Sequence, residues 1–195
     1  MTSNKRPNII LASQSPYRSQ LLQRLGLPFD VAPAHIDETP KENEAPEDLS
    51  LRLASQKART IAQRQPEALV IGSDQVAEVA GQPLGKPGTE ARALEQLMMA
   101  SGKTATFHTA LSVQCGHFQR EAVVPYSVHF RPFSEAEAQR YIQKEKPLDC
   151  AGSFKAEGLG ISLFLAQSGE DPNALIGLPL IKLCEYLREY GYQIP

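Results

Sequence analysis

Ser13, Ser15, Arg18, Glu38, Lys57, Asp74 and Lys86 have the side-chain types that phosphoryl chemistry requires. Cations could offset the charge of a polyphosphate, while carboxylates could hold a divalent metal or position water. The densest group is Ser13-Gln14-Ser15-Pro16-Tyr17-Arg18. There an apolar run gives way to an amphipathic one, so a helix N-terminus would offer an anion unpaired N–H groups, hydroxyls and a guanidinium. The segment lacks the GxxxxGK[ST] pattern of a Walker A loop. Alone, it reads more simply as Ser15 capping a helix beside a solvated Arg18. Asp74 follows a buried-strand run and is expected at that strand's carboxyl end, where open α/β sheets place ligands; a helix-cap or turn aspartate is the alternative. Lys57 lies on the apolar stripe of a helix, from which it either snorkels to water or reaches into a polar cleft. Lys86, Glu38 and Glu157 would each pass singly for ordinary loop residues. Together the set points to a nucleotide or phosphate-ester enzyme.

The elements that must position these residues follow from pattern and punctuation. Asn8–Ala12 reads as a buried strand, with Ser15 as N-cap, Pro16 at the first helical position and a helix over Tyr17–Leu25 closed by Gly26. A second helix is expected over Glu47–Gln63, its stripe formed by Leu49, Leu53, Ala54, Ala58, Ile61 and Ala62 with Lys57 on the same face. Ala68–Gly72 reads as a strand ending in Ser73-Asp74-Gln75, followed by a β-arm about Gly81-Gln82 and a helix over Thr89–Ala100. Thr104–Cys115 and Phe118–Phe130 make a hairpin about Gly116-His117. Ser134 to Glu137 is a capping box opening a helix to about Lys144. A glycine-rich stretch over 150–160 precedes a strand at Ile161–Ala166, and Leu178-Pro179 opens a last helix ending near Tyr190. No linker divides the chain, so residues 1–195 read as one α/β domain, a mixed sheet flanked by helices and bilobed about a cleft.

Composition limits the partners. The 195 residues are 42% hydrophobic and 22% charged, ordinary values for a globular chain, and the net charge of -2 gives no general attraction to nucleic acid or an anionic membrane. Three separated cysteines and four histidines lack disulfide-framework or zinc-site spacing, which favours a reducing cytoplasm. No apolar run reaches the ~20 residues of a membrane span, and the apolar stretch in MTSNKRPNIILAS is too short for a signal peptide.

The assembled segments resemble the Maf family of nucleoside triphosphate pyrophosphatases. They are LASQSPYR at Leu11–Arg18, DET at Asp37–Thr39, LRLASQKA at Leu51–Ala58, GSDQV at Gly72–Val76, GKP at Gly85–Pro87, AGSF at Ala151–Phe154 and GLPL at Gly177–Leu180. They run in the family's order over nearly the whole chain. The resemblance implies a Maf/ITPase-like α/β fold, an elongated mixed sheet flanked by helices with two lobes about a central cleft. It also implies a divalent cation, Mg2+ or Mn2+, and cleavage between the α- and β-phosphates of a nucleoside triphosphate. Asp74 matches the family's proton acceptor, and Ser13, Arg18, Glu38, Lys57 and Lys86 match polar residues lining its cleft. Glu38 or Asp74 is expected to hold the metal, and Ser15 to join the phosphate-binding group. A homodimer is compatible with this reading.

Departures from the commonest pattern bear on the base. SPYR stands where many members have SPRR, and Asp74-Gln75 with Glu157 stand where the thymidine/uridine triphosphate group has Asp-Thr and a glutamine. The combination resembles the 7-methyl-GTP pyrophosphatase group. N7-methylation gives guanine a delocalised positive charge, which an aromatic face such as that of Tyr17 attracts by ~0.5–2 kcal/mol. The N1–H and N2–H donors of guanine suit a carboxylate such as Glu157, and Gln75 could add a further contact. Otherwise Tyr17 packs on its own helix and Glu157 faces water. The competing functions are the same reaction on dTTP, UTP or a deaminated purine, and a nucleotide-binding regulator without turnover.

Overall fold

The computed structural model describes residues 6–195; the first five residues, part of the stretch weighed above as a leader, lie outside the described residues. The N-terminal apolar run forms strand β1 (Ile9–Leu11), buried throughout. Helix α1 (Pro16–Gln23) follows, with Ser15 as its N-cap and Pro16 in its first turn. The helix is capped by Arg24 rather than Gly26. Gly26 lies just beyond, at φ 65°, and turns the chain toward a short strand that the sequence did not reveal, β2 (Phe29–Val31).

Helix α2 (Pro46–Arg64) buries Leu49, Leu53, Ala54, Lys57, Ala58 and Ile61 as the stripe required; Ala62 is only partly buried. Its face lies on strand β3 (Leu69–Val79), which overturns one expectation. The strand does not stop at Ser73-Asp74-Gln75. These residues sit in its middle, with Asp74 opposite Ala110. Pairing over Val70–Val79 with the next long strand supports the backbone, and each polar side chain finds a partner: Ser73 on Gly177, Asp74 on Lys57, Gln75 on Thr109. A polar triplet therefore costs little inside this strand.

An Ala80-Gly81 turn, with both residues at positive φ, leads to β4 (Gln82–Leu84). Helix α3 (Glu90–Ala100) is capped by Thr89, and β5 (Thr104–Cys115) and β6 (Phe118–Phe130) form the expected hairpin, Cys115 facing Phe118. The capping box of Ser134 and Glu137 opens α4 (Glu135–Glu145). The glycine-rich stretch becomes two 3-10 turns, Ala151–Ser153 and Leu159–Leu163, so β7 (Phe164–Gly169) begins three residues later than Ile161 suggested. A one-turn helix, α5 (Pro172–Ile176), was not foreseen, and α6 (Leu180–Tyr190) completes the chain after Pro179.

Among the described residues the sheet has seven strands in the order β2-β1-β3-β5-β6-β7, with β4 beside β3, and mixes parallel and antiparallel pairs. Hydrophobic side chains gather at its two ends. One cluster unites β1, α1 and α6 about Leu11, Leu22, Leu111 and Leu183. The other packs α3 and α4 about Phe107, Phe130 and Tyr141. These are the two lobes, and β3 and β5 run through both. On the edge away from β5, β3 pairs with β1 over Leu69–Ile71 and with β4 over Ala77–Val79. Gly72–Val76 lies between these ladders, paired with neither, and forms the floor of the gap between the lobes.

Helix α2 reaches that floor because residue 72 has no side chain. A Cβ there would overlap the Ala54 carbonyl and lie 2.8 Å from the Ala58 nitrogen, both main-chain atoms that cannot swing away. Gly72→Ala is expected to destabilise the protein by ~3 kcal/mol, since overpacking against a backbone leaves only displacement of the helix. Urea unfolding measures this; a loss below ~0.5 kcal/mol would show that α2 shifts freely.

Candidate active site

The gap between the lobes is a cleft of about 900 Å³, and every residue singled out from the sequence lines it. Ser13, Ser15, Tyr17 and Arg18 come from the β1–α1 turn, Glu38 from the loop before α2, and Lys57 from α2. Asp74 and Gln75 come from β3, Lys86 from the loop after β4, and Glu157 from the loop after α4. Asp149, Cys150 and Lys155 line it too and were not singled out. Lys155 stands only two residues from Glu157 and is the one the sequence offered most openly. A larger hollow of about 1230 Å³, lined by Arg6, Arg64, Tyr190 and Tyr192, contains none of the expected residues.

At the centre of the cleft Lys57 holds two carboxylates. Its Nζ donates to Asp74 Oδ1 at 2.6 Å and pairs with Glu38 Oε1 at 2.7 Å. Lys57 and Asp74 are buried, whereas the Glu38 side chain is 59% exposed at the rim. The other Asp74 oxygen has no hydrogen-bond partner among the described residues. Since no buried side-chain nitrogen or oxygen among the described residues is left without a partner, that oxygen opens on the cleft that Asp74 lines. Burial tends to raise the Glu38 pKa, but the hydrogen bond and charge of Lys57, with Lys86 and Arg18 behind them, outweigh it and hold this carboxyl below the ordinary glutamate value.

Arg18 closes one wall. Its Nε donates to the Gly177 carbonyl at 2.8 Å and one terminal nitrogen to Ser13 Oγ at 3.4 Å. Burial draws the guanidinium pKa down, and the charges of Asp74 and Glu38 pull it back up. Ser13 Oγ also accepts from the Ser15 amide, and Ser15 Oγ from the Arg18 amide. The hydroxyls thus fix the turn that aims the arginine. Lys86 is exposed and makes no ion pair among the described residues, which leaves its charge free for a ligand.

A second group faces these cations. The Tyr17 hydroxyl lies 4.0 Å from Cys150 Sγ, which lies 3.5 Å from Asp149 Oδ1. Burial, then the neighbouring Cys150, Asp149 and Glu157, raise the tyrosine pKa. Burial likewise pushes the Cys150 thiol up to about 12, so it is protonated at neutral pH. Gln75 differs from expectation. Its amide nitrogen donates to Thr109 Oγ1 at 2.9 Å and to the carbonyls of Ala174 at 2.8 Å and Leu175 at 3.1 Å. One residue along a strand reverses the face, so Gln75 points away from Asp74 and anchors α5. Its amide donors are already taken in this arrangement.

Residues 8–190 match the family described as Maf-like protein. The chain is 53% identical over 192 residues to the 7-methyl-GTP pyrophosphatase of Alkalilimnicola ehrlichii, covering 97% of this chain and 96% of that one. It is also 53% identical to the 7-methyl-GTP pyrophosphatase of Pseudomonas aeruginosa, covering 97% of this chain and all of that one, 100%. Among solved structures, a HAM1 protein from Coxiella burnetii shares the fold at a TM-score of 0.53 and 15% identity, over 94% of this chain and 99% of that one.

Removing the shared cation tests how the centre is held. Lys57→Met leaves the buried Asp74 carboxylate unpaired and is expected to cost ~3 kcal/mol in urea unfolding at neutral pH. The depressed Glu38 pKa contributes stability that is complete above the unfolded glutamate value and lost as pH falls through the lower folded one. In Lys57→Met the Glu38 carboxyl, followed by carbon-13 NMR, is expected to titrate at higher pH than in the wild type. An unmoved titration would assign the effect to Lys86 and Arg18 instead.

Proposed function

The chain belongs to the Maf family, and from that membership we propose that it is a nucleoside triphosphate pyrophosphatase converting 7-methyl-GTP to 7-methyl-GMP and pyrophosphate. The observation that carries the chemistry is the buried Lys57 bound to Asp74 and Glu38, with Arg18 and Lys86 on the same cleft. The triphosphate lies among Arg18, Lys57 and Lys86, with the Ser13–Arg18 turn at its edge. Water attacks the α-phosphorus and gives its proton to the open Asp74 oxygen. A water-oxygen to phosphorus bond forms as the bond from that phosphorus to the α–β bridging oxygen breaks. The electron pair leaves with pyrophosphate, whose charge the cations offset.

Glu38 and Asp74 both meet one ammonium group, so a single small cation could contact both. Their oxygens are the hard ligands that Mg2+ or Mn2+ takes. Among the described residues no group of three or more His, Cys, Asp or Glu side chains is placed to hold a metal, so a bound ion would need water and phosphate oxygens as its other ligands. Glu38 and the Lys57-bound oxygen of Asp74 would hold it, leaving the open Asp74 oxygen for the proton, and once bound it would neutralise phosphate charge.

The choice of 7-methylguanine rests on the division of charge across the cleft. Tyr17 stands with Asp149 and Glu157, beside a Lys155 whose ammonium donates to the Glu145 carbonyl at 3.3 Å, whereas Arg18, Lys57 and Lys86 stand with the catalytic carboxylate. The substrate has the matching polarity, a cationic base joined to an anionic triphosphate. Tyr17 offers its ring face to the base and Glu157 an acceptor to the N1–H and N2–H edge. The same reading carries a reducing cytoplasm as its setting, in keeping with free thiols at Cys115, Cys150 and Cys184. Its partner is a small molecule rather than nucleic acid or a membrane, and no helix among the described residues is long and apolar enough to cross one. A homodimer is the assembly to look for.

Pyrophosphate release from a nucleotide panel with Mg2+ tests the reaction. Asp74→Asn is expected to fold normally and lose ~10²–10⁴-fold in kcat; unchanged kcat would remove Asp74 as the base. Lys57→Ala and Lys86→Ala are expected to lower kcat/KM, and an unchanged value would return that lysine to a structural role. Binding without turnover across the panel would favour a regulator.

The base assignment has a separate test. Wild type is expected to prefer 7-methyl-GTP over GTP in kcat/KM, with the preference reduced in Tyr17→Arg and in Glu157→Gln. Equal wild-type values would sink the base assignment and leave the pyrophosphatase standing, and a preference for dTTP, UTP or a deaminated purine would replace it.

A further inference from the structure

The segments that carry Lys86 and Glu157 are tied together by a side chain that does not line the cleft. Gln96, on α3, donates from Nε2 to the carbonyl of Gly85 at 3.1 Å, next to Lys86. Its Oε1 accepts from the Ser153 hydroxyl. Chemistry fixes this orientation: a carbonyl only accepts, so the amide NH2 must face Gly85 and the oxygen is left for the hydroxyl.

Ser153 needs such a partner. It is fully buried and has φ 63°, in the left-handed region that a residue with a Cβ rarely adopts. Gly152 before it has φ 72°, and a Cβ there would lie 3.3 Å from the Phe107 ring. Phe154 after it is wedged edge-on against Phe107 and Phe130, with centroids 5.3 Å apart in each case. Backbone of this kind persists only where its surroundings hold it, and it gathers at functional sites. One main-chain bond, from the Gly88 amide to the Leu148 carbonyl at 3.0 Å, joins the same two segments.

We infer that Gln96 is a positioning residue whose amide sets the Lys86 loop and the 148–157 loop in one register. It thereby fixes the distance between the phosphate-binding and base-binding ends of the cleft. The inference rests on the functional reading above, in which Lys86 meets phosphate and Glu157 meets the base. Gln96 touches no substrate and acts through Gly85 and Ser153.

Two substitutions separate its two arms. Gln96→Glu keeps an acceptor toward Ser153 but sets a carboxylate oxygen against the Gly85 carbonyl. Ser153→Ala keeps the bond to Gly85 and removes the hydroxyl. Gln96→Glu is expected to lower kcat by about ten- to hundredfold, the scale set by a small misplacement of a catalytic group, with the preference for 7-methyl-GTP over GTP unchanged. Ser153→Ala is expected to reduce that preference at little cost in kcat. Gln96→Leu removes both arms, and hydrogen exchange on the full chain should quicken in residues 85–88 and in residues 148–157 together, with the β5–β6 hairpin unaffected. Variants that change only Tm, leaving kcat, the preference and the exchange of both loops at wild-type values, overturn the inference. If wild type releases no pyrophosphate from any nucleotide, the functional reading falls, and the paired exchange response still decides the coupling.

Discussion

Everything in the cleft depends on bringing a buried ammonium to a buried carboxylate. An unpaired charge at either position would be too costly to bury, so the pair requires α2 and β3 to meet at one fixed separation. Gly72 sets that separation by letting the Ala54–Ala58 turn of the helix lie against the strand, which carries Lys57 onto Asp74. Glu38 then has a cation to approach at the rim. The gap between the β1 and β4 ladders leaves room for a ligand over the same stretch of β3. The position of the chemistry follows from helix–sheet packing and an interruption in strand pairing.

The two faces of β3 divide the labour. Asp74 and Gly72 look toward α2, while Ser73 and Gln75 look toward the carbonyls of Gly177, Ala174 and Leu175. Four consecutive residues therefore form both the floor of the cleft and its fastening to the C-terminal segment. The Gly177 carbonyl is the common point, accepting from Ser73 Oγ and from Arg18 Nε. Arg18 is anchored through Nε, so its orientation is set by the protein itself.

Much of this was legible in the sequence where the signal was local. Ser15 with Pro16, the Ser134–Glu137 box and the Gly116-His117 turn act on their immediate neighbours, and each appears where the pattern placed it. The residues gathered about the cleft were also legible, through their resemblance to a family as much as through their chemistry. The failures were non-local. β3 continues through a polar triplet because its partners come from α2, β5 and the C-terminal segment, none visible from residues 73–75. β2 and α5 are too short to show a period, at 3 and 5 residues. The start of β7 slipped because Leu159–Leu163, apolar enough for a strand, winds into a 3-10 turn against Glu145, whose carboxylate accepts from the Leu159 amide. Alternation would have turned Gln75 away from Asp74 had the strand been carried through the triplet.

The bond from Arg18 to Gly177 spans 159 positions of the chain. A ribosome adds ~5–20 residues per second, so roughly ten to thirty seconds separate the synthesis of the arginine from that of its anchor. Throughout that interval Ser73 and Arg18 lack the carbonyl they share, and Gln75 lacks α5. A nascent chain that already holds β1, α2 and β3 in register still lacks the anchor of Arg18. The cleft is therefore complete only once residues 174–177 have been made.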